Sequence, residues 1–163
     1  MDIKRILLIS LIAVAVIASV SVVSAGLFDG LFGGEQQDNV IEIENITFNT
    51  TNTTDFTLYE NNSGEGYKCY VSDNCTGNFT VWVLDLNQDT YVYSYLINEK
   101  IRPNPSSVVD GYVVYNTMSD IGSQVGEPRY TSYVENKNLN EVIIFVSPDA
   151  NETVKMVSTL KFN

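Results

Sequence analysis

Arg129-Tyr-Thr-Ser-Tyr-Val-Glu135, Asn136-Lys-Asn138 and Glu141-Val-Ile-Ile-Phe-Val-Ser147 carry the sheet around which the rest of the chain is arranged. In the first run Tyr130, Ser132 and Val134 alternate with Arg129, Thr131 and Tyr133, the period of two that marks a strand. The third run is apolar nearly throughout, as in a buried strand. Asn136-Lys-Asn138 supplies turn chemistry between them, so the pair is expected to form an antiparallel hairpin. That places the chain in the α+β class: one small domain with an antiparallel sheet and one or two packed helices.

Upstream, Phe79-Thr-Val-Trp-Val-Leu84 reads as a central strand, with Trp82 as a core anchor. Asn87 or Asp89 then caps a helix carrying Tyr91, Val92, Tyr95, Leu96 and Glu99 at helical spacing. Pro103 and Pro105 end it and begin a loop. Gly111 to Tyr115 reads as a strand and residues 118–128 as a long loop. Nearer the start, Val40, Ile41, Ile43, Ile46 and Phe48 fall at period two, as one strand or two. Residues 56–59 form a short strand and residues 61–66 a turn. Downstream, Ser147-Pro148-Asp149 is a helix start with Ser147 at the cap and Pro148 at the first position. Ala150, Val154 and Val157 follow as the apolar face, and residues 159–162 add a last short strand.

The first twenty-five residues fix the compartment. Ile6 to Ala25 is twenty residues without a charge, preceded by Lys4 and Arg5. As a helix it spans about 30 Å, the thickness of a bilayer's hydrocarbon core. Its length suits a single-pass anchor at the cell membrane, with Lys4 and Arg5 inside and the C-terminal domain outside. Val23-Ser24-Ala25 also fits a secretory signal cleaved after Ala25, which would leave a secreted protein. Residues 26–39 open with four glycines in nine positions and read as a flexible juxtamembrane linker. Three parts follow: residues 1–25, the anchor or signal; 26–39, the linker; and 40–163, the extracytoplasmic domain.

Lys4, Arg5 and Asp2 precede the exported part, which therefore keeps seven of the nine basic residues and nineteen of the twenty acids, a charge of −12. Such a field repels nucleic acid, so none is expected as a partner. Seven Asn-x-Ser/Thr sequons, at Asn45, Asn49, Asn52, Asn61, Asn74, Asn78 and Asn151, are candidate glycosylation sites of a surface protein. Cys69 and Cys75 flank Val71-Ser72-Asp73-Asn74, which reads as a hairpin turn bringing them together. In an exported chain the pair is expected as a disulfide. Its short loop would contribute about 2 kcal/mol.

Gly26-Leu-Phe-Asp-Gly-Leu-Phe-Gly-Gly34, Gly111-Tyr-Val-Val-Tyr-Asn-Thr117, Gly126-Glu-Pro-Arg-Tyr130 and the ending Ser147-Pro-Asp-Ala-Asn-Glu-Thr-Val-Lys-Met-Val-Ser-Thr-Leu-Lys-Phe162 resemble short secreted or membrane-anchored proteins of methanogenic archaea. The order of strands, hairpin, helix and last strand also resembles the PsbP/Mog1-type α/β sandwich. Neither resemblance implies an activity.

Chemistry is narrowed mainly by what is missing. The chain has no histidine and no third cysteine, which removes Ser-His-Asp systems and most transition-metal sites. Asp85-Leu-Asn87-Gln-Asp89 opens like a calcium loop, yet Thr90 stands where Gly is needed and Leu96 where Glu is needed. No phosphate-binding glycine motif follows a strand, so no metal or cofactor is expected. Ten tyrosines offer aromatic faces, with Tyr112, Tyr115, Tyr130 and Tyr133 as ligand-binding candidates. The expected function is a membrane-tethered, non-enzymatic cell-surface domain with a structural or binding role in the envelope. The alternatives are a secreted ligand- or sugar-binding protein and a hydrolase using paired carboxylates.

Overall fold

The computed structural model describes residues 38–52, 55–72 and 78–163. Residues 6–25, the linker up to residue 37, Asn74 and Cys75 lie outside them. Among the described residues no helix is long and apolar enough to cross a membrane.

The folded unit spans Asp38–Asn163 and is α+β, with antiparallel sheets and two helices. Strands β1 (Asn39–Ile43) and β2 (Ile46–Thr50) form a hairpin, and β10 (Lys161–Phe162) pairs with the other edge of β2. The second sheet has seven strands. They are β3 (Thr57–Leu58), β4 (Tyr67–Val71), β5 (Thr80–Asp85), β6 (Ser106–Val109), β7 (Tyr112–Met118), β8 (Pro128–Asn136) and β9 (Glu141–Ser147). Their spatial order is β3-β4-β5-β9-β8-β7-β6, and each named pairing is antiparallel.

β5 and β9 lie at the middle of this sheet because both carry apolar side chains on both faces. Trp82, Leu84, Val142 and Ile144 face one core; Val81, Val83, Ile143 and Phe145 face another. Helix α1 covers the first face with Leu96, Ile97 and Ile101. It starts as α-helix over Thr90–Tyr93, where Asp89 accepts from the N–H groups of Tyr91 and Val92 at 2.8 and 3.2 Å. From Ser94–Ile101 it continues as π-helix and closes on an Arg102 N–H to Ile97 carbonyl bond of 2.9 Å. The second face is covered by the small sheet and by α2 (Ala150–Ser158), through Ile43, Ile46, Phe48, Met156 and Val157.

Five local expectations change. Asp149, not Ser147, caps α2, accepting from the N–H groups of Asn151 and Glu152 at 2.9 and 3.0 Å. Ser147 is held in the β9 ladder opposite Tyr130. The buried face of α2 is also wider, with Glu152, Thr153, Val154, Met156 and Val157 buried, because the helix packs against both sheets. Residues read as loop after Pro105 contain β6, an edge strand where the proline's missing N–H costs no ladder bond. Asp110 and Gly111, at φ 49° and 87°, join it to β7 in the left-handed pair typical of a type I′ turn.

The β8–β9 hairpin turns over residues 137–140 and not 136–138, with Asn140 at φ 57°. The Asn136 side chain closes this turn by accepting from the Asn138 and Leu139 N–H groups. On β4, fully buried Cys69 stands opposite Trp82. The connection to β5 runs from residue 72 to 79, longer than a tight turn at 71–74. The expected disulfide falls on Cys75, outside the described residues.

Candidate functional site

A cleft of about 410 Å³ opens between α1 and the seven-stranded sheet. Its floor follows from strand register. Thr80 on β5 is paired with Val146 on β9, and Val146 with Thr131 on β8, so these three share one row. Trp82 and Ile144, also paired, form the next row. The π-helical part of α1 supplies one wall through Leu96 and Ile101, with Pro103 and Asn104 beyond it. Met118, Ser119, Asp120 and Ile121 make the opposite wall.

That second wall is held by backbone bonds that close residues 119–127 on themselves. The Ser119 N–H donates to the Glu127 carbonyl, and the Gly126 N–H to the Ser119 carbonyl, both at 2.8 Å. Arg129 braces the loop from below. Only 3% exposed, it donates through Nη2 to Gln124 Oε1 at 3.0 Å and through Nη1 to the Pro128 carbonyl at 2.8 Å. Glu127 lies 3.5 Å from its guanidinium, while its Nε has no partner among the described residues.

Polar character inside the cleft comes from hydroxyls. Thr117 and Thr131 share a hydrogen bond of 2.7 Å. Thr80 is 3% exposed, and its hydroxyl makes no hydrogen bond with any described residue. Among the described residues, charged side chains occur in the cleft only at its exposed mouth: Glu99, Lys100 and Asp120. The neighbouring Tyr95 side chain holds the Lys100 ammonium above the usual lysine pKa, with its Nζ 5.2 Å from the centre of the Tyr95 ring.

The tyrosine candidates gather elsewhere, and only in part. Tyr115 and Tyr133 stack with ring centres 6.2 Å apart. Arg102 donates to the Tyr133 hydroxyl at 2.9 Å, and Tyr93 donates to Glu135 at 2.9 Å. Burial, then the Tyr133 hydroxyl, raises the Tyr115 pKa; burial and Glu135 do the same for Tyr93. The β7–β8 ladder stops at Tyr115, and beyond it Tyr112, Tyr115 and Tyr133 line a smaller recess of about 280 Å³. Tyr112 packs against the opposite core from Tyr115. Tyr130 is half-buried outside both hollows, its carbonyl accepting from Thr153 at 2.9 Å.

The sequons divide by environment. Asn61 and Asn151 are exposed, Asn49 and Asn78 half-buried, and Asn52 buried. Asn45 donates to both Glu141 carboxylate oxygens, at 3.0 and 3.3 Å. The carboxylates of the calcium-like run serve the chain itself. Asp85 accepts from the Asn87 backbone and from the side chains of Asn87 and Gln88, bonds that lower its pKa, and Asp89 caps α1. Among the described residues no three acids or cysteines gather to hold a metal ion.

Sequence reasoning passed over the cleft. Thr80, Thr117 and Thr131 were hydroxyls at strand positions whose neighbours are core, and that mismatch was the available signal. No protein-family model matches the chain, and a search of curated proteins finds no match.

Proposed function

We propose that the chain is a membrane-tethered extracytoplasmic domain that captures a small molecule in the cleft between α1 and the seven-stranded sheet, without transforming it. Residues 6–25 are the tether, and the domain begins at Asp38, where a 2.6 Å bond from Lys155 holds the chain's entry to α2. One observation carries the binding role: a hollow of about 410 Å³ with an apolar floor and a few placed hydroxyls. Small-molecule sites commonly have this form and a volume of roughly 300 to 1,000 Å³. π-Helical turns, rare elsewhere, recur at functional sites, and here one forms a wall. Absence of histidine supports a non-enzymatic role, as does the exposure of Glu99 and Asp120.

Trp82 is the only tryptophan in the chain and lies in the cleft floor, so a fluorotryptophan label gives one resonance at the site. Benzyl alcohol titrated into the full chain in detergent micelles is expected to shift that resonance saturably. Val146→Phe, which fills the floor, is expected to abolish the shift. Equal shifts in both proteins would refute the binding role.

A further inference from the structure

We propose, building on that small-molecule reading of the cleft, that it selects a neutral molecule with an apolar body and a single hydroxyl or carbonyl head, bound head-down on Thr80. Three observations converge. The apolar residues that a ligand body would meet are Trp82, Ile144 and Val146 on the floor and Leu96 and Ile101 on the α1 wall. Thr80 lines the same space, is 97% buried by its 3% exposure, and has a hydroxyl without a partner among the described residues. The neighbouring hydroxyls of Thr117 and Thr131 already face each other at 2.7 Å. Thr80 is therefore the floor hydroxyl with both its donor and its acceptor capacity free, whereas Thr117 and Thr131 already share a bond.

A charged head does not fit the floor. Glu99, Lys100 and Asp120 are confined to the mouth, so an ion carried to Thr80 would lose its water without gaining a countercharge. A pure hydrocarbon would fill the space but leave the Thr80 hydroxyl unsatisfied. Discrimination in favour of a polar head arises in this way, from the cost of a buried group left unpaired.

The test uses four probes with one ring in common: benzyl alcohol, toluene, benzoate and benzylammonium. Each is titrated into the full chain and into Thr80→Val in identical micelles, reading the Trp82 fluorine resonance. Partition into detergent is the same for both proteins and cancels in their ratio. Valine keeps the β-branched shape of threonine on a central strand, and thermal melts check the fold. In the wild type, benzyl alcohol is expected to bind tightest. Thr80→Val is expected to weaken benzyl alcohol about three- to tenfold relative to toluene, the scale of one hydrogen bond. Thr80→Ser, which restores the hydroxyl, should recover most of that loss. Benzoate or benzylammonium binding tightest in the wild type would overturn the ligand class. An unchanged alcohol-to-toluene ratio in Thr80→Val would overturn the role of Thr80. If none of the four probes moves the resonance, the cleft is not a small-molecule site and both proposals fall.

Discussion

Glu152→Ala should be among the most destabilising single substitutions in the domain. The Glu152 carboxylate is 7% exposed and joins α2 to the end of β2. It accepts from Thr50 Oγ1 at 2.5 Å and from the backbone N–H and hydroxyl of Thr51, both at 2.7 Å. Hydrogen bonds to a charged group contribute about 1.5 to 3 kcal/mol each, but desolvation of the carboxylate and access of water to half-buried Thr51 offset part of the sum. A net loss of about 3 to 4 kcal/mol follows. For a unit of this size each kcal/mol moves Tm by roughly 3 to 5 °C, so alanine should lower it by about 10 to 20 °C. Glu152→Gln keeps one carbonyl oxygen and should fall between wild type and alanine. Urea unfolding followed by far-ultraviolet circular dichroism measures both, and the m-value should stay constant if the native structure is preserved. A loss below about 1 kcal/mol for alanine would show that these bonds do not hold α2 to the small sheet. Benzyl alcohol binding should be unaffected, since Glu152 lies on the opposite side of the large sheet from the cleft.

Gly111→Ala should cost about 1 kcal/mol through its left-handed backbone alone, because nothing lies within 4 Å of the added methyl. Amide exchange should then quicken in β6 and the start of β7 while β5 and β9 keep their protection; uniform loosening would contradict a local turn effect. Stability should decline as pH rises above 10, the ordinary tyrosine value, because burial and the Glu44 carboxylate raise Tyr70 in the folded state while the unfolded chain ionises. Glu44 shows the reverse sign: bonds from Lys68 and Tyr70 outweigh its burial and lower its pKa, so its contribution is present above the ordinary value of 4.5 and is lost as pH falls through the folded one. Melts of wild type and Tyr70→Phe across both limits check this, and parallel pH profiles would contradict it. Glycopeptide mass spectrometry should find a glycan at exposed Asn61 and none at buried Asn52, with occupancy at Asn52 the contrary result.

The sheet was legible in the sequence where burial differs sharply between neighbours. Alternation in residues 129–135 and the apolar run 141–147 gave β8 and β9, and the residues around Trp82 gave β5. Asp89 was legible as a cap because nothing else competed for it except Asn87. At the start of α2, Ser147 and Asp149 are both good capping residues, and only the pairing of Ser147 with Tyr130 on β8 separates them. That information is nonlocal. β6 was missed although Asp110-Gly111, a strong hairpin signal, stood beside it; its four residues are too short and too exposed to show a period.

The cleft was hardest to foresee. Its floor depends on register across β5, β9, β8 and β7, and its walls on residues 94–101 winding as π-helix and residues 118–121 folding over the sheet. No short-range pattern encodes either. The tyrosines were more conspicuous in the sequence, yet the Tyr115 and Tyr133 rings face each other, and Arg102 lies 5.7 Å from the Tyr133 ring.

Intermolecular nuclear Overhauser effects between benzyl alcohol and the full chain would locate the bound molecule. Contacts from its ring to the Trp82 indole and to the Ile144 and Val146 methyl groups, with its methylene near Thr80, are expected. Saturable binding whose contacts reach only Tyr115 and Tyr133 would place the site in the tyrosine-lined recess and contradict the cleft.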